Sequence, residues 1–85
     1  METTFETVRH VVAEILNVAV ENVTADFSRD MLETWDSMQH LSLILALEQS
    51  FALEFTPDEI ERMSRVGVIA TLIEEKLSRN GHGKQ

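Results

Sequence analysis

The sequence predicts an all-α fold, a small four-helix bundle with three longer helices, a short third helix and a long ordered loop between the first two. Three observations support this. Apolar residues recur at three-and-four spacing in separate segments, the pattern of amphipathic helices. Helix start and stop signals fall at the ends of those segments. No run alternates apolar and polar residues as a half-buried strand would.

The first helix carries Phe5, Val8, Val12, Ile15 and Leu16 on one stripe. Thr3 followed by Glu6 supplies a capping box, and Asn17 closes the helix. From Val18 to Asp36 the periodicity disappears, yet Val18, Val20, Val23, Phe27, Met31 and Leu32 keep the stretch apolar. A solvated linker would not hold so many, so this segment is expected to pack over the bundle as an ordered loop. The second helix runs from about Ser37 to Phe51, with Asp36 as cap and Gln39 three residues on. Gln39, Ser42, Ala46, Gln49 and Ser50 share a polar arc, and Met38, Leu41, Leu43, Ile44, Leu45, Leu47 and Phe51 fill a wide apolar one. That is more apolar surface than one helix of a small bundle buries, so part of it is expected to face solvent.

The segment Phe55-Thr56-Pro57-Asp58-Glu59-Ile60 is the clearest helix start. Thr56 is the cap, Pro57 the first residue, Glu59 the reciprocal partner, and Phe55 with Ile60 a hydrophobic staple. This helix ends near Met63 or Ser64. The last helix holds Val66, Ile69, Ala70, Ile73 and Leu77 in register and stops at Asn80-Gly81. Residues 1–80 are read as one domain and 81–85 as a flexible tail. The expected core is Val8, Val12, Ile15, Phe27, Leu32, Leu41, Ile44, Leu47, Phe51, Ile60, Val66, Ile69 and Ile73.

Composition excludes several function classes. Seven Lys and Arg against fifteen Asp and Glu give the 85 residues a formal net charge of -8. Such a surface repels nucleic-acid phosphates and anionic lipid. The chain has no cysteine, which removes disulfides, thiolate metal sites and a protein thiol nucleophile. No stretch approaches the roughly 20 apolar residues of a membrane span. The acidic N-terminal segment does not suit a secretory signal, so a cytoplasmic location is expected.

Three candidate chemistries can be weighed. Counted as a calcium loop from Asp26, Met31 stands where glycine must turn the chain and Ser37 where a bidentate glutamate is required. His10, His40 and His82 contain no pair at the spacing of a helical metal site. Ser37 and His40 are three apart, but a nucleophile and base need an orienting group and an oxyanion site in a cleft. His40 is therefore read as a partly exposed surface histidine.

The remaining candidate is Ser37 alone. Asp36-Ser37-Met38 resembles the Asp-Ser-Leu signature of acyl carrier proteins, with Met in place of Leu. About thirty residues of helix and loop precede it, and Leu41, Leu43, Ala46-Leu47-Glu48 and Phe51 fall where that family's second helix has like residues. The resemblance spans roughly Phe5 to Leu77. It implies that Ser37 receives a 4′-phosphopantetheine arm through a phosphodiester, that Asp36 belongs to the motif and caps the helix, and that acyl groups ride on the arm's thiol. A phosphodiester at a helix N-terminus would face free backbone N–H groups and the positive end of the macrodipole. The implied partners are a phosphopantetheinyl transferase, an acyl-loading ligase or transferase, and a downstream condensing or acyl-transfer enzyme. They would be visited by a monomer that catalyses nothing itself.

Two departures point away from the housekeeping fatty-acid carrier and toward a specialised pathway. Trp35 stands where many members have Gly, and the second helix has only Glu48 as a charged residue among Gln39, Ser42, Gln49 and Ser50. Between Asp26 and Glu61 there are nine acids and one base, Arg29, whereas five bases and two acids follow from Arg62 onward. This acidic collar suits a basic docking patch on partner enzymes. The docking surface is expected to use Trp35, Met38, Leu45, Glu48, Asp58 and Glu59. An aminoacyl or peptidyl carrier with the same attachment chemistry, or an unmodified acidic helical adaptor, would fit the same residues.

Overall fold

The computed structural model describes residues 3–83. Its order is α1 (Thr4–Leu16), two single turns of 3₁₀ helix at Val20–Asn22 and Arg29–Met31, α2 (Ser37–Phe51), α3 (Pro57–Arg62) and α4 (Val66–Gly83). Among the described residues there is no strand, only an isolated antiparallel bridge between Ser28 and Arg65.

The local signals explain where these helices start and stop. Thr3 accepts the Glu6 N–H at 3.1 Å, and the Glu6 carboxylate turns to the Arg9 guanidinium at 3.0 Å. Asn17 closes α1 in the left-handed region at φ 58°, a conformation that Asn tolerates better than most residues. At α3 both halves of the Thr56–Glu59 capping box form, at 2.9 and 3.2 Å. The expected stop at Asn80-Gly81 is overrun, because α4 continues to Gly83. A glycine within a helix costs only about 1 kcal/mol, which does not force an end. Of the expected tail, 81–83 extend α4, while 84–85 lie outside the described residues.

α1 packs against both α2 and α4. Its Val8, Val12 and Leu16 meet Leu43, Ile44 and Leu47 of α2 and Val66, Ile69, Ala70 and Ile73 of α4 in one buried cluster. The long loop joins that cluster through Val23, Phe27 and Trp35, as its apolar content requires. It is also tied by backbone hydrogen bonds to the start of α4: Val66 N–H to Phe27 O and Gly67 N–H to Ala25 O, both 2.9 Å, and Arg29 N–H to Ser64 O, 3.0 Å. From the other side Arg9 donates to the Val20 and Val23 carbonyls at 2.8 and 2.7 Å. A Cβ at Gly67 would lie 3.1 Å from the Ala25 carbonyl oxygen, so glycine permits this close approach.

The expected core needs correction at one position and refinement at others. Leu41 is 55% exposed, because the stripe that α2 buries is rotated toward His40, Leu43, Ile44 and Leu47. Ile15, Leu32, Phe51 and Ile60 are half-buried and pack on the rim of the cluster. Trp35, Leu53, Phe55 and Met63 are buried core residues that the spacing argument did not select.

Candidate functional site

The Ser37 site is the junction between the loop and α2. Asp36 has extended backbone angles and its carboxylate accepts the Gln39 N–H at 3.0 Å, while its carbonyl accepts the His40 N–H at 2.8 Å. A side-chain oxygen in that position satisfies one of the four N-terminal amides that a helix leaves without an internal partner. Ser37 is therefore the first helical residue, exposed to solvent. The amides of Ser37 and Met38 lie ahead of the first intrahelical bond, where the helix dipole favours an anion.

The junction is held from beneath by Trp35. Trp35, expected in the docking surface, is only 3% exposed. Its ring stacks on Phe27 with centroids 5.9 Å apart. Its indole N–H donates to Nδ1 of His40 at 3.0 Å, its amide donates to Leu32 O at 3.0 Å, and its carbonyl accepts from Arg29 Nε at 3.4 Å. A bulky ring beside the cap fits because the loop folds it inward.

His40 is likewise not the surface residue expected. It is 4% exposed, and its Nε2 lies 2.9 Å from the Ile60 carbonyl of α3. Because the indole can only donate and the carbonyl can only accept, the ring is neutral with its hydrogen on Nε2. Burial holds its pKa below the ordinary histidine value; the Ile60 hydrogen bond works against this and the Arg29 charge reinforces it.

The face of α2 beside Ser37 is apolar and open. Met38 is 78%, Leu41 55% and Leu45 60% exposed, and their i, i+3, i+7 spacing makes one stripe. Leu41 thus belongs with Met38 and Leu45 rather than in the core. Of the acids expected in docking, Asp58 is exposed and uncommitted to the core. Glu48 is half-buried, with its carboxylate accepting the Phe55 N–H at 2.9 Å. Glu59 is engaged with Thr56 and with Lys76 Nζ at 2.9 Å. The Thr56 N–H, followed by Lys76, holds the Glu59 carboxyl below the usual carboxylate range. Asp26, Asp30, Glu33, Asp36, Glu54 and Glu61 are exposed, so the acidic collar is a surface feature.

Among the described residues no group of three or more His, Cys, Asp or Glu is placed to hold a metal ion, and no helix is long and apolar enough to cross a membrane. Surface grooves of about 490 and 580 Å³ lie along α4, one lined by Arg62, Arg65, Val68 and Leu72 and the other by Leu53, Glu54, Lys76 and Arg79. Ser37 borders neither. It is exposed to solvent at the first turn of α2.

The model of the family described as a phosphopantetheine attachment site matches residues 6–73. Acyl carrier protein 3 of Ralstonia nicotianae is 32% identical over 81 residues, covering 93% of this chain and 91% of that protein. The acyl carrier protein of Helicobacter pylori is 37% identical over 73 residues, covering 84% and 91% respectively. In fold, the chain is similar to the solution structure of a holo acyl carrier protein from Geobacter metallireducens, with a TM-score of 0.83, 24% identity and coverage of 96% and 94%. With four-fifths of its length inside the family model and relatives matched nearly end to end, the chain belongs to the acyl carrier protein family.

Proposed function

We propose that Ser37 is the attachment residue for a 4′-phosphopantetheine arm and that the chain presents acyl groups on that arm to partner enzymes without catalysing a reaction itself. One observation carries the reading. The only serine in the Asp-Ser-Met motif sits exposed at the first turn of α2, its preceding Asp36 already spent on the cap and a bare apolar stripe running away from it. The residues fit the group: an exposed hydroxyl to be esterified, and two leading amides where a phosphodiester anion is favoured. When bound, the arm supplies a thiol for thioester formation, a group that this cysteine-free chain lacks.

The chain's own part is to position. Asp36 fixes the start of α2 so that Ser37 is its first residue, exposed to solvent. His40, the nearest histidine, has both ring nitrogens engaged, so the base that takes the Ser37 hydroxyl proton is expected from the modifying transferase. Met38, Leu41 and Leu45 offer an apolar strip for contact, and the exposed acids around it steer basic patches on the transferase, the loading enzyme and the downstream acyl-transfer enzyme. Such successive visits suit a cytoplasmic monomer.

Incubation with coenzyme A and a broad-range phosphopantetheinyl transferase, followed by intact mass measurement, tests the reading. A gain of one phosphopantetheine that Ser37→Ala abolishes is the expected result. A folded wild-type chain that gains nothing beside an active control carrier would refute it and leave the acidic adaptor.

A further inference from the structure

The buried chain Trp35–His40–Ile60 joins three elements at one imidazole. Trp35 ends the loop, His40 lies one turn into α2, and the Ile60 carbonyl belongs to α3. The two hydrogen bonds, 3.0 and 2.9 Å, require an unprotonated Nδ1 and a hydrogen on Nε2. Protonation would set an Nδ1–H against the indole N–H, two donors with no acceptor between them. Every polar handle of Trp35 is held: indole by His40, amide by Leu32, carbonyl by Arg29. The ring is further clamped by Phe27. Asp36 and Ser37 follow directly, so displacement of the indole is transmitted to the cap and to the serine.

We propose that His40 is a positioning residue for the attachment turn: through Trp35 it locks the Trp35–Asp36–Ser37 segment to α3 in the geometry from which Ser37 is modified, and it does so only as the neutral ring. The inference rests on the reading of Ser37 as the attachment residue. The groups facing the imidazole favour the neutral form. From the loop come the Trp35 donor and the Arg29 cation, and from α3 comes the uncharged Ile60 carbonyl. The acid beside it in α3, Glu59, is turned to Thr56 and Lys76. Burial acts in the same direction as Arg29.

Trp35 is the one tryptophan, so its indole N–H gives a single NMR reporter. The test follows that signal and the Ser37 and Met38 amides from pH 8 to pH 5, in the wild type and in His40→Gln, which keeps a neutral donor for Ile60 and takes up no proton. The expected result is that indole and Ser37 amide move together in the wild type, with one midpoint below that of free histidine, and that the shared transition is absent in His40→Gln. In parallel, the ratio of wild-type to His40→Gln modification rate by the transferase should fall as the pH drops. Trp35→Phe, which keeps the stack and removes the donor, should lower kcat/KM at pH 8 by about fivefold, one neutral hydrogen bond's worth, while remaining folded.

A Ser37 amide that stays still while the indole titrates overturns the proposal. So does a wild type that loses all its resonances together, which would mean a purely structural histidine, or a folded Trp35→Phe modified at the wild-type rate. A wild type that takes no arm at any pH defeats the attachment reading itself, an outcome separate from these three.

Discussion

Truncating leucines one by one along α2 separates the face that holds the bundle together from the face left open. Leu43 is fully buried, whereas Leu41 and Leu45 are 55% and 60% exposed. Leu43→Ala removes a completely buried side chain from a close-packed cluster, and such changes cost about 2.7–5.0 kcal/mol. For a domain of this size each 1 kcal/mol lowers Tm by about 4–8 °C, so a loss of roughly 10 °C or more is expected. Leu45→Ala starts from a side chain already more than half in water. Full burial of a leucine is worth about 1.5–3 kcal/mol, so less than half of that is at stake. Alanine's better helix propensity offsets a little of it. The net cost is below about 1 kcal/mol, a few degrees. Thermal melts by far-UV circular dichroism measure both, and the rate of Ser37 modification in the same variants measures the open face. Leu45→Ala and Leu41→Ala should melt near the wild type and be modified more slowly. Exposed-site variants as unstable as Leu43→Ala would refute the division of α2 into a core stripe and a docking stripe.

Three further outcomes are expected. His40 is neutral in the fold with a depressed pKa, so the unfolded chain binds the extra proton. Stability from this residue is complete above about pH 6.5, the free-histidine value, and declines as pH falls below it. Urea unfolding of wild type against His40→Gln at pH 8 and pH 5.5 shows whether that decline disappears with the ring. Glu59→Ala removes one half of a capping box and the partner of Lys76 and should cost about 1–2 kcal/mol by urea unfolding. Ala52 closes α2 at φ 55°, a left-handed conformation that penalises a Cβ by about 1–2 kcal/mol. After the unfolded-state entropy that glycine adds is subtracted, Ala52→Gly should still raise Tm by a few degrees.

Helix positions were legible wherever a cap or a turn residue marks them: Thr3, Asn17, Asp36, and Thr56-Pro57 all lie where the chain changes conformation. The order of the long loop followed from its apolar content, which only burial explains. The orientation of α2 was harder to read, because nearly all of its arc is apolar and several stripes fit the periodicity. The stripe through Leu41, Ile44, Leu47 and Phe51 looked adequate, yet the buried one runs through His40, Leu43, Ile44 and Leu47. A polar type at position 40 concealed that register. The signal that reveals it is the pairing of an indole donor with an imidazole acceptor across the start of a helix, a contact made by loop folding rather than by any fixed sequence spacing. For the same reason the sequence alone does not decide whether Trp35 packs beneath the cap or belongs to the docking surface. Ser37 stands out as the candidate because a helix cap, an acidic surround and a surplus apolar face converge on it, each a local property, while the role proposed for it comes from the resemblance of Asp36-Ser37-Met38 to the family signature.

The most direct test of the account is fragmentation mass spectrometry of the phosphopantetheinylated chain, locating the modified residue within the peptide that spans the loop and α2. The account predicts the whole added mass on Ser37, with Thr24, Ser28, Thr34, Ser42 and Ser50 unmodified. An arm found on any of those five hydroxyls in place of Ser37 would contradict it.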